Sequence, residues 1–287
     1  MIASFIIFLR EGFEASMIVA ILLAYLNRIN QRSHYRDVFA GVAVALGTVS
    51  VAGVTAYFLI SHYAGSRMQT YFETATYALA AVFLTAMTFW MHKHSRTMGK
   101  ELQAQSEAAL TTGNRWGLGL LSFQSVVREG IETMVFTLAI VFANSSQAGT
   151  PTTGSTVLVG AILGLGASLG LSYAIFRMGR KINLKRFFQV LGVVLMVFAA
   201  GLVADVVQNV QTLGWVTFGN HALWNSGALL REGSNLGDVA HQLLGYAESP
   251  TPLQLGVWFL YITTSVGYFI YLSRVAPRPT APAPATN

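Results

Sequence analysis

The 287-residue chain has no cysteine. Disulfides, thiolate metal sites, iron–sulfur clusters and c-type haem attachment are therefore excluded. Charge is also scarce: Asp, Glu, Lys and Arg make up 10% of the residues, against 53% apolar. With a mean hydropathy of +0.52, that balance belongs to a polytopic membrane protein rather than a soluble domain. The chain carries no Walker A loop, so ATP-driven transport by this chain is not expected. It has no dinucleotide fingerprint and no Glu-x-x-His pair of the di-iron carboxylate type. A cleavable signal peptide is not expected either. The first apolar run holds Arg10, Glu11 and Glu14 and continues to Leu26, too long and too charged for such a leader.

What the chain has instead is apolar runs near 20 residues long. Seven stand out, at roughly Ile2–Leu26, Val38–Ile60, Thr70–Met91, Gly117–Ala143, Thr156–Phe176, Phe187–Val207 and Leu253–Leu272. Net charge is +6 and the isoelectric point is near 9.7. The basic residues sit in short connectors, which argues against a nucleic-acid partner. Arg28, Arg32 and Arg36 follow the first run; Lys93, Arg96, Lys100 and Arg115 follow the third. Arg177, Arg180, Lys181, Lys185 and Arg186 follow the fifth, and Arg274 and Arg278 follow the seventh. Only Arg67 and Arg231 lie on the alternate side, and Arg10 and Arg128 lie within runs. The positive-inside rule then predicts an N-terminus outside and a C-terminus in the cytoplasm. Gly160 with Gly164, and Gly166 with Gly170, form GxxxG pairs suited to close helix contact.

Two of the runs carry the same pentapeptide: Arg10-Glu11-Gly12-Phe13-Glu14 and Arg128-Glu129-Gly130-Ile131-Glu132. A charge at mid-membrane costs about 2.5–3.5 kcal/mol on insertion scales, so two matched sets mark a functional site. The first run points inward and the fourth outward. Residues of about 1–91 and 117–207 therefore read as a 3+3 inverted repeat, a recurring transporter design with ion sites near the midplane. A seventh helix at about 253–272 follows an outer loop of about 208–252. The expected fold is thus an all-α polytopic membrane protein with a transmembrane domain over 1–272 and a disordered cytoplasmic tail over 273–287.

On a helix, the two Glu of each motif share one face. Two crossing helices would converge Glu11, Glu14, Glu129 and Glu132, hard oxygen ligands for iron, manganese, magnesium or calcium. Arg10 and Arg128, at i to i+4 from Glu14 and Glu132, supply compensating charge, leaving −2 if all six groups ionise. Gly12 and Gly130 offer a bare spot at which the facing helices approach. Buried ion pairs that merely hold a bundle, or a metal-free proton relay, would use the same residues.

Arg-Glu-Gly-x-Glu in the first and fourth of seven runs resembles the oxidase-dependent iron permease family, which includes fungal high-affinity iron permeases and bacterial EfeU-type ferrous iron permeases. The resemblance extends over nearly the whole chain, including Thr88-Phe89-Trp90-Met91 and Leu223-Trp224-Asn225, and is nearest to the compact bacterial branch. It implies a transporter rather than an enzyme, located in a bacterial inner membrane. The motif Glu residues would bind and pass iron, the transported substrate, without an organic cofactor. It also implies an oxidising partner outside the membrane: a copper oxidase in fungi, periplasmic haem-peroxidase and iron-binding components in bacteria. Some relatives are linked to other metals, including lead.

Further candidates lie nearer the expected outer side. Glu73 and Asp205 occupy matching positions in the two halves and suit an outer capture station that hands ions to the Glu cluster. His62, His221 and His241 face the same side and could assist capture. His92 and His94 stand at the opposite, exit end, while Met17, Met87, Met91 and Met134 offer thioethers or simply fill gaps. The outer loop, with Trp215 and Trp224, is the expected partner-docking surface, topped by short interfacial helices. Lys100–Thr111 reads as a short cytoplasmic helix. Arg231-Glu232-Gly233-Ser234-Asn235 begins like the motif but lies outside the apolar runs, so chance explains it. The leading expectation is an iron permease; the alternatives are a permease for manganese or lead, a membrane-embedded carboxylate–metal oxidoreductase, and a metal-sensing receptor.

Overall fold

The computed structural model describes residues 1–63, 65–94, 98–111, 116–145, 153–178, 184–231 and 234–275. The described elements are helical: α1 (Ile2–Arg28), α2 (Tyr35–His62), α3 (Arg67–His94), α4 (Met98–Thr111), α5 (Gly117–Ser145), α6 (Thr153–Met178), α7 (Leu184–Thr212), α8 (Asn235–Leu244) and α9 (Pro252–Val275), with a 3-10 turn at Arg32–His34. The tail beyond residue 275 and the connector over 146–152 lie outside the described residues.

Among the described residues, five helices are long and apolar enough to cross a membrane: α2, α3, α6, α7 and α9. Large apolar side chains on α2, α6 and α9 face outward, among them Leu46, Val54, Phe58, Leu158, Ile162, Leu169, Phe259 and Leu260. A helix that is apolar on its outer face belongs against lipid, because water does not tolerate such patches. The expectation of seven runs meets a physical distinction here. The other two long helices, α1 and α5, are 27 and 29 residues in length but each holds an Arg and two Glu at its middle. Those two are the motif helices.

The packing pairs each motif helix with a lipid-facing one. Along α1, Ser4, Phe8, Gly12 and Ser16 meet Gly160, Gly164, Ser168 and Ser172 of α6 in that order, so the two helices run parallel at a four-residue spacing. α2 and α5 do the same: Ser122 Oγ donates to the Val38 carbonyl at 3.0 Å, Gly41 meets Gly119, Val49 meets Gly130, and Gly53 meets Met134. The GxxxG expectation holds for Gly160 and Gly164. Gly166 and Gly170 instead have open space beside them. α3 packs against α7 and α9, with Thr88 on Gly192 and the Thr85 and Tyr261 hydroxyls hydrogen-bonded.

Three apolar clusters bracket the motifs. The largest joins α1, α3, α5 and α7 through Ile7, Tyr77, Leu84, Phe136, Leu195 and Phe198. A second, with Leu22, Leu26, Val38, Leu102 and Leu118, seats α4 under α1, α2 and α5. A third holds Phe13, Met17, Met91 and Phe188. The motif charges of α1 lie between Ile7 and Met17, and so have apolar packing on both sides.

Candidate metal-ion site

Residues 10–14 fall near the middle of the 27-residue α1, and 128–132 near the middle of the 29-residue α5. At 1.5 Å per residue, the motif centre lies about 15 and 24 Å from the two ends of α1 and about 20 and 22 Å from those of α5. Arg10, Glu11, Glu14 and Glu129 are all buried. One carboxylate oxygen from each of Glu11, Glu14 and Glu129 lies within 4.8 Å of the others. This is the one group of three or more ligand-type side chains among the described residues.

Arg10 holds its own helix's carboxylates. Its Nη1 donates to Glu11 Oε1 at 3.1 Å, and its Nε stands 3.2 Å from Glu14 Oε1. The second contact is an ion pair without hydrogen-bond geometry, because Glu14 Oε1 remains without a hydrogen-bond partner. Glu11 Oε2, both oxygens of Glu14, Glu129 Oε2 and Glu132 Oε2 are buried and find no hydrogen-bond donor among the described residues. A buried polar atom left unpaired costs about 1–3 kcal/mol, more if charged. When ionised, carboxylate oxygens accept and do not donate, so a cation, a bound proton or water would satisfy them. Oxygen-only ligands suit hard ions, iron and manganese among the transition metals. Metal–oxygen bonds near 2.1 Å place cis ligands about 3 Å apart, so the three side chains need only close in slightly.

Glu132 stands apart from the group of three. Its Oε1 pairs with Arg128 Nε at 3.5 Å, and it retains some exposure. Arg128 itself reaches outward: its guanidinium lies 4.5 Å over the Trp90 ring, and Nη2 approaches Met87 Sδ at 3.4 Å. Trp90 in turn stacks on His94. The motif glycines permit close approach, but not between the two motif helices as the sequence suggests. A β-carbon at Gly12 would stand 2.6 Å from Ser168 Oγ of α6, and one at Gly130 would stand 2.7 Å from Val49 Cγ2 of α2. Each glycine clamps its motif helix to a lipid-facing neighbour rather than to the other motif helix. Glu11 and Glu129 also border an apolar cleft of about 900 Å³ between α2 and α6.

Glu73 and Asp205 have different companions. Glu73 is buried and accepts from Gln69 Nε2 at 2.7 Å. Asp205 Oδ1 faces His241 Nε2 at 3.9 Å. Neither belongs to a ligand group of three among the described residues. The thioethers have other work. Met17 and Met91 pack with Phe13, Met134 fills the space beside Gly53, and Met87 meets Arg128. His92 packs edge-on against Phe269, while His62 and His221 are exposed. The sequence reading missed three participants. Trp90 under Arg128 and Ser168 against Gly12 are fixed only by tertiary packing, which no local pattern encodes. Gln69 is legible as an i, i+4 partner of Glu73.

The family model described as iron permease FTR1 family matches residues 1–276. The chain is 30% identical over 279 residues to the ferrous iron permease EfeU of Escherichia coli O6:K15:H31 (strain 536 / UPEC), covering 96% of this chain and 97% of that protein. It is 31% identical over 287 residues to the ferrous iron permease EfeU of Yersinia pestis, covering 98% and 96%. No solved structure matches it. A motif pair whose carboxylates gather inside an all-helical bundle, and a family match that runs through both motifs, agree: the chain belongs to the iron permease FTR1 family.

Proposed function

We propose that this protein imports iron across a bacterial inner membrane through the carboxylates of its two Arg-Glu-Gly-x-Glu motifs. The observation that carries the reading is the convergence of Glu11, Glu14 and Glu129 from two helices, buried and short of donors. Glu132 is the fourth carboxylate, held in reserve by Arg128. Arg10 and Arg128 limit the negative charge, so the site binds a cation without trapping it. The names of the bacterial relatives support ferrous iron as cargo.

In this reading α1 and α5 cross the membrane with the five more apolar helices, in opposite senses, as the two centres of a 3+3 inverted repeat. The parallel pairing of α1 with α6 and of α2 with α5 supports that arrangement. The basic connectors put the N-terminus outside and the C-terminus in the cytoplasm. A reporter active only outside the cytoplasm is then active when fused near Gly149 and silent after Arg274; the reverse pattern overturns the orientation. Glu73 and Asp205 become outer carboxylates that raise the local cation concentration. Periplasmic iron-binding and haem-peroxidase or oxidase partners would dock on the loop around α8.

The deciding experiment is uptake of radioactive iron into proteoliposomes that contain this protein alone, with manganese, zinc and lead as competitors. Saturable iron uptake is the expected result. Metal-dependent turnover without uptake would replace transport by the carboxylate–metal oxidoreductase reading. Stronger uptake of manganese or lead would move the cargo to that metal.

A further inference from the structure

We propose that Asp205 and His241 form a second cation site, which takes a divalent transition-metal ion through one carboxylate oxygen and one imidazole nitrogen. Its role as a capture station rests on the uptake reading; the site itself rests on geometry.

The helix α8 is fastened to α7 at its end. Gly245, in the left-handed conformation that caps α8 (φ 69°), packs directly on Gly201 of α7. Beside it, Trp258 Nε1 donates to the Leu244 carbonyl at 2.8 Å. His241 lies one turn before that cap, so its ring is set by a fixed element. Its Nδ1 lies 2.7 Å from the Tyr246 carbonyl. A carbonyl only accepts, so in the neutral ring Nδ1 carries the proton and Nε2 presents a lone pair. A backbone carbonyl on the far nitrogen is the usual support of a metal-binding imidazole.

Nε2 stands 3.9 Å from Asp205 Oδ1, too far for a hydrogen bond. Two donors on one ion, each bonded at about 2.0–2.2 Å, stand about 3–3.5 Å apart. The pair therefore reaches ligand spacing by moving less than one ångström. Asp205, His241 and Gln242 line a cavity of about 10 Å³ closed by Ala139, Ala143 and Phe198, room for a single ion or water. Asp205 and His241 come from different helices, 36 positions apart, which hides the pair from any local motif.

Mixed nitrogen and oxygen donors favour iron, manganese, cobalt and zinc over magnesium and calcium. The central site has only carboxylates and lacks that preference. The second site would thus sort cations by ligand type before the central site passes them.

The test uses the full chain in lipid nanodiscs titrated with Mn²⁺ and read by pulsed electron paramagnetic resonance. The wild type should show ¹⁴N modulation from a coordinated imidazole. His241→Gln and Asp205→Asn should each lose that modulation and bind one Mn²⁺ fewer per chain, while Glu14→Gln should keep it. Absence of imidazole modulation at saturating Mn²⁺ overturns the proposal, as does modulation that survives both outer variants. The pair would then be an ion pair that seats α8. Modulation present without any uptake in proteoliposomes would sink the transport reading and leave this site standing.

Discussion

The two pentapeptides are nearly the same in sequence and differ in their surroundings. The Arg10 side chain is 3% exposed and touches both carboxylates of its own motif; the Arg128 side chain is 47% exposed and touches only Glu132. Neighbours cause the difference. The small cavity beside Arg10 is closed by Thr88 and Met91 of α3, Phe188 and Gly192 of α7, and Phe269 of α9. Beyond Glu132, Arg128 meets the ring of Trp90 and the sulfur of Met87. In the 3+3 repeat proposed above, α9 would have no counterpart in the first half and would break the symmetry that the motifs begin. One arginine is enclosed against both carboxylates of its motif. The other meets one carboxylate and an aromatic face at once.

The largest effect should separate the carboxylates. Glu11→Gln, Glu14→Gln and Glu129→Gln each remove a charge from the group of three while keeping the shape. Loss of one charged interaction worth about 1.5–3 kcal/mol corresponds to about 10–100-fold in rate. Glu132→Gln, outside that group, should lose less. Initial rates of iron uptake on matched amounts of inserted protein check this. Equal losses at all four positions would erase the distinction and restore the symmetric four-carboxylate site that the sequence suggests. Normal uptake by two of the first three would remove the central site altogether.

The arginines should differ next, and in stability rather than in uptake alone. Arg10→Ala strips the counter-charge from two fully buried carboxylates. Breaking a buried pair in this way costs about 3–5 kcal/mol. Arg128→Ala removes a half-exposed ion pair worth about 0–1 kcal/mol and a cation–π contact of about 0.5–1 kcal/mol. Thermal unfolding in detergent should show a large fall in Tm for the first and a small one for the second. Equal falls would mean that Arg128 is as fixed as Arg10.

Sequence and structure divide along these lines. The motif helices and the short helix α4 follow from local pattern, and i, i+3 spacing puts the two Glu of each motif on one face, whereas the gathering of Glu11, Glu14 and Glu129 without Glu132 does not follow from it. Which helix each motif glycine meets does not follow. Gly12 contacts Ser168 and Gly130 contacts Val49 because the halves exchange partners, α1 with α6 and α2 with α5. The pairing of Asp205 with His241 is hidden for a related reason: α8 must first fold back onto α7. Local pattern sets the elements, and long-range exchange sets their neighbours.

Those exchanged contacts give a smaller and symmetric prediction. Gly12→Ala forces a β-carbon against Ser168 Oγ and Leu165, and Gly130→Ala forces one against both methyls of Val49. Overpacking of this kind costs about 1–3 kcal/mol. Both variants should lower Tm by similar amounts. Ser168→Gly should partly rescue Gly12→Ala but do nothing for Gly130→Ala. Rescue of both would mean that the two contacts are one interface.

The smallest effect is expected at Glu73, and it tests whether the comparison between motifs extends to the helix ends. Glu73 accepts from Gln69 and has no second carboxylate or imidazole beside it in a ligand group. Asp205, at the matching place in the other half, has His241. A lone carboxylate near the mouth acts through local concentration, which saturating iron replaces. Glu73→Gln should therefore raise KM by about twofold to fivefold, under about 1 kcal/mol by the usual tenfold-per-1.4 conversion, and leave the maximal rate unchanged. Asp205→Asn should raise KM more, because it dismantles a two-ligand station. Kinetics across a range of iron concentrations, on equal amounts of inserted protein, would separate the two. A Glu73→Gln variant with normal KM and a collapsed maximal rate would place Glu73 in the path itself, on a level with the motif glutamates, and the two ends of the bundle would then be equivalent after all.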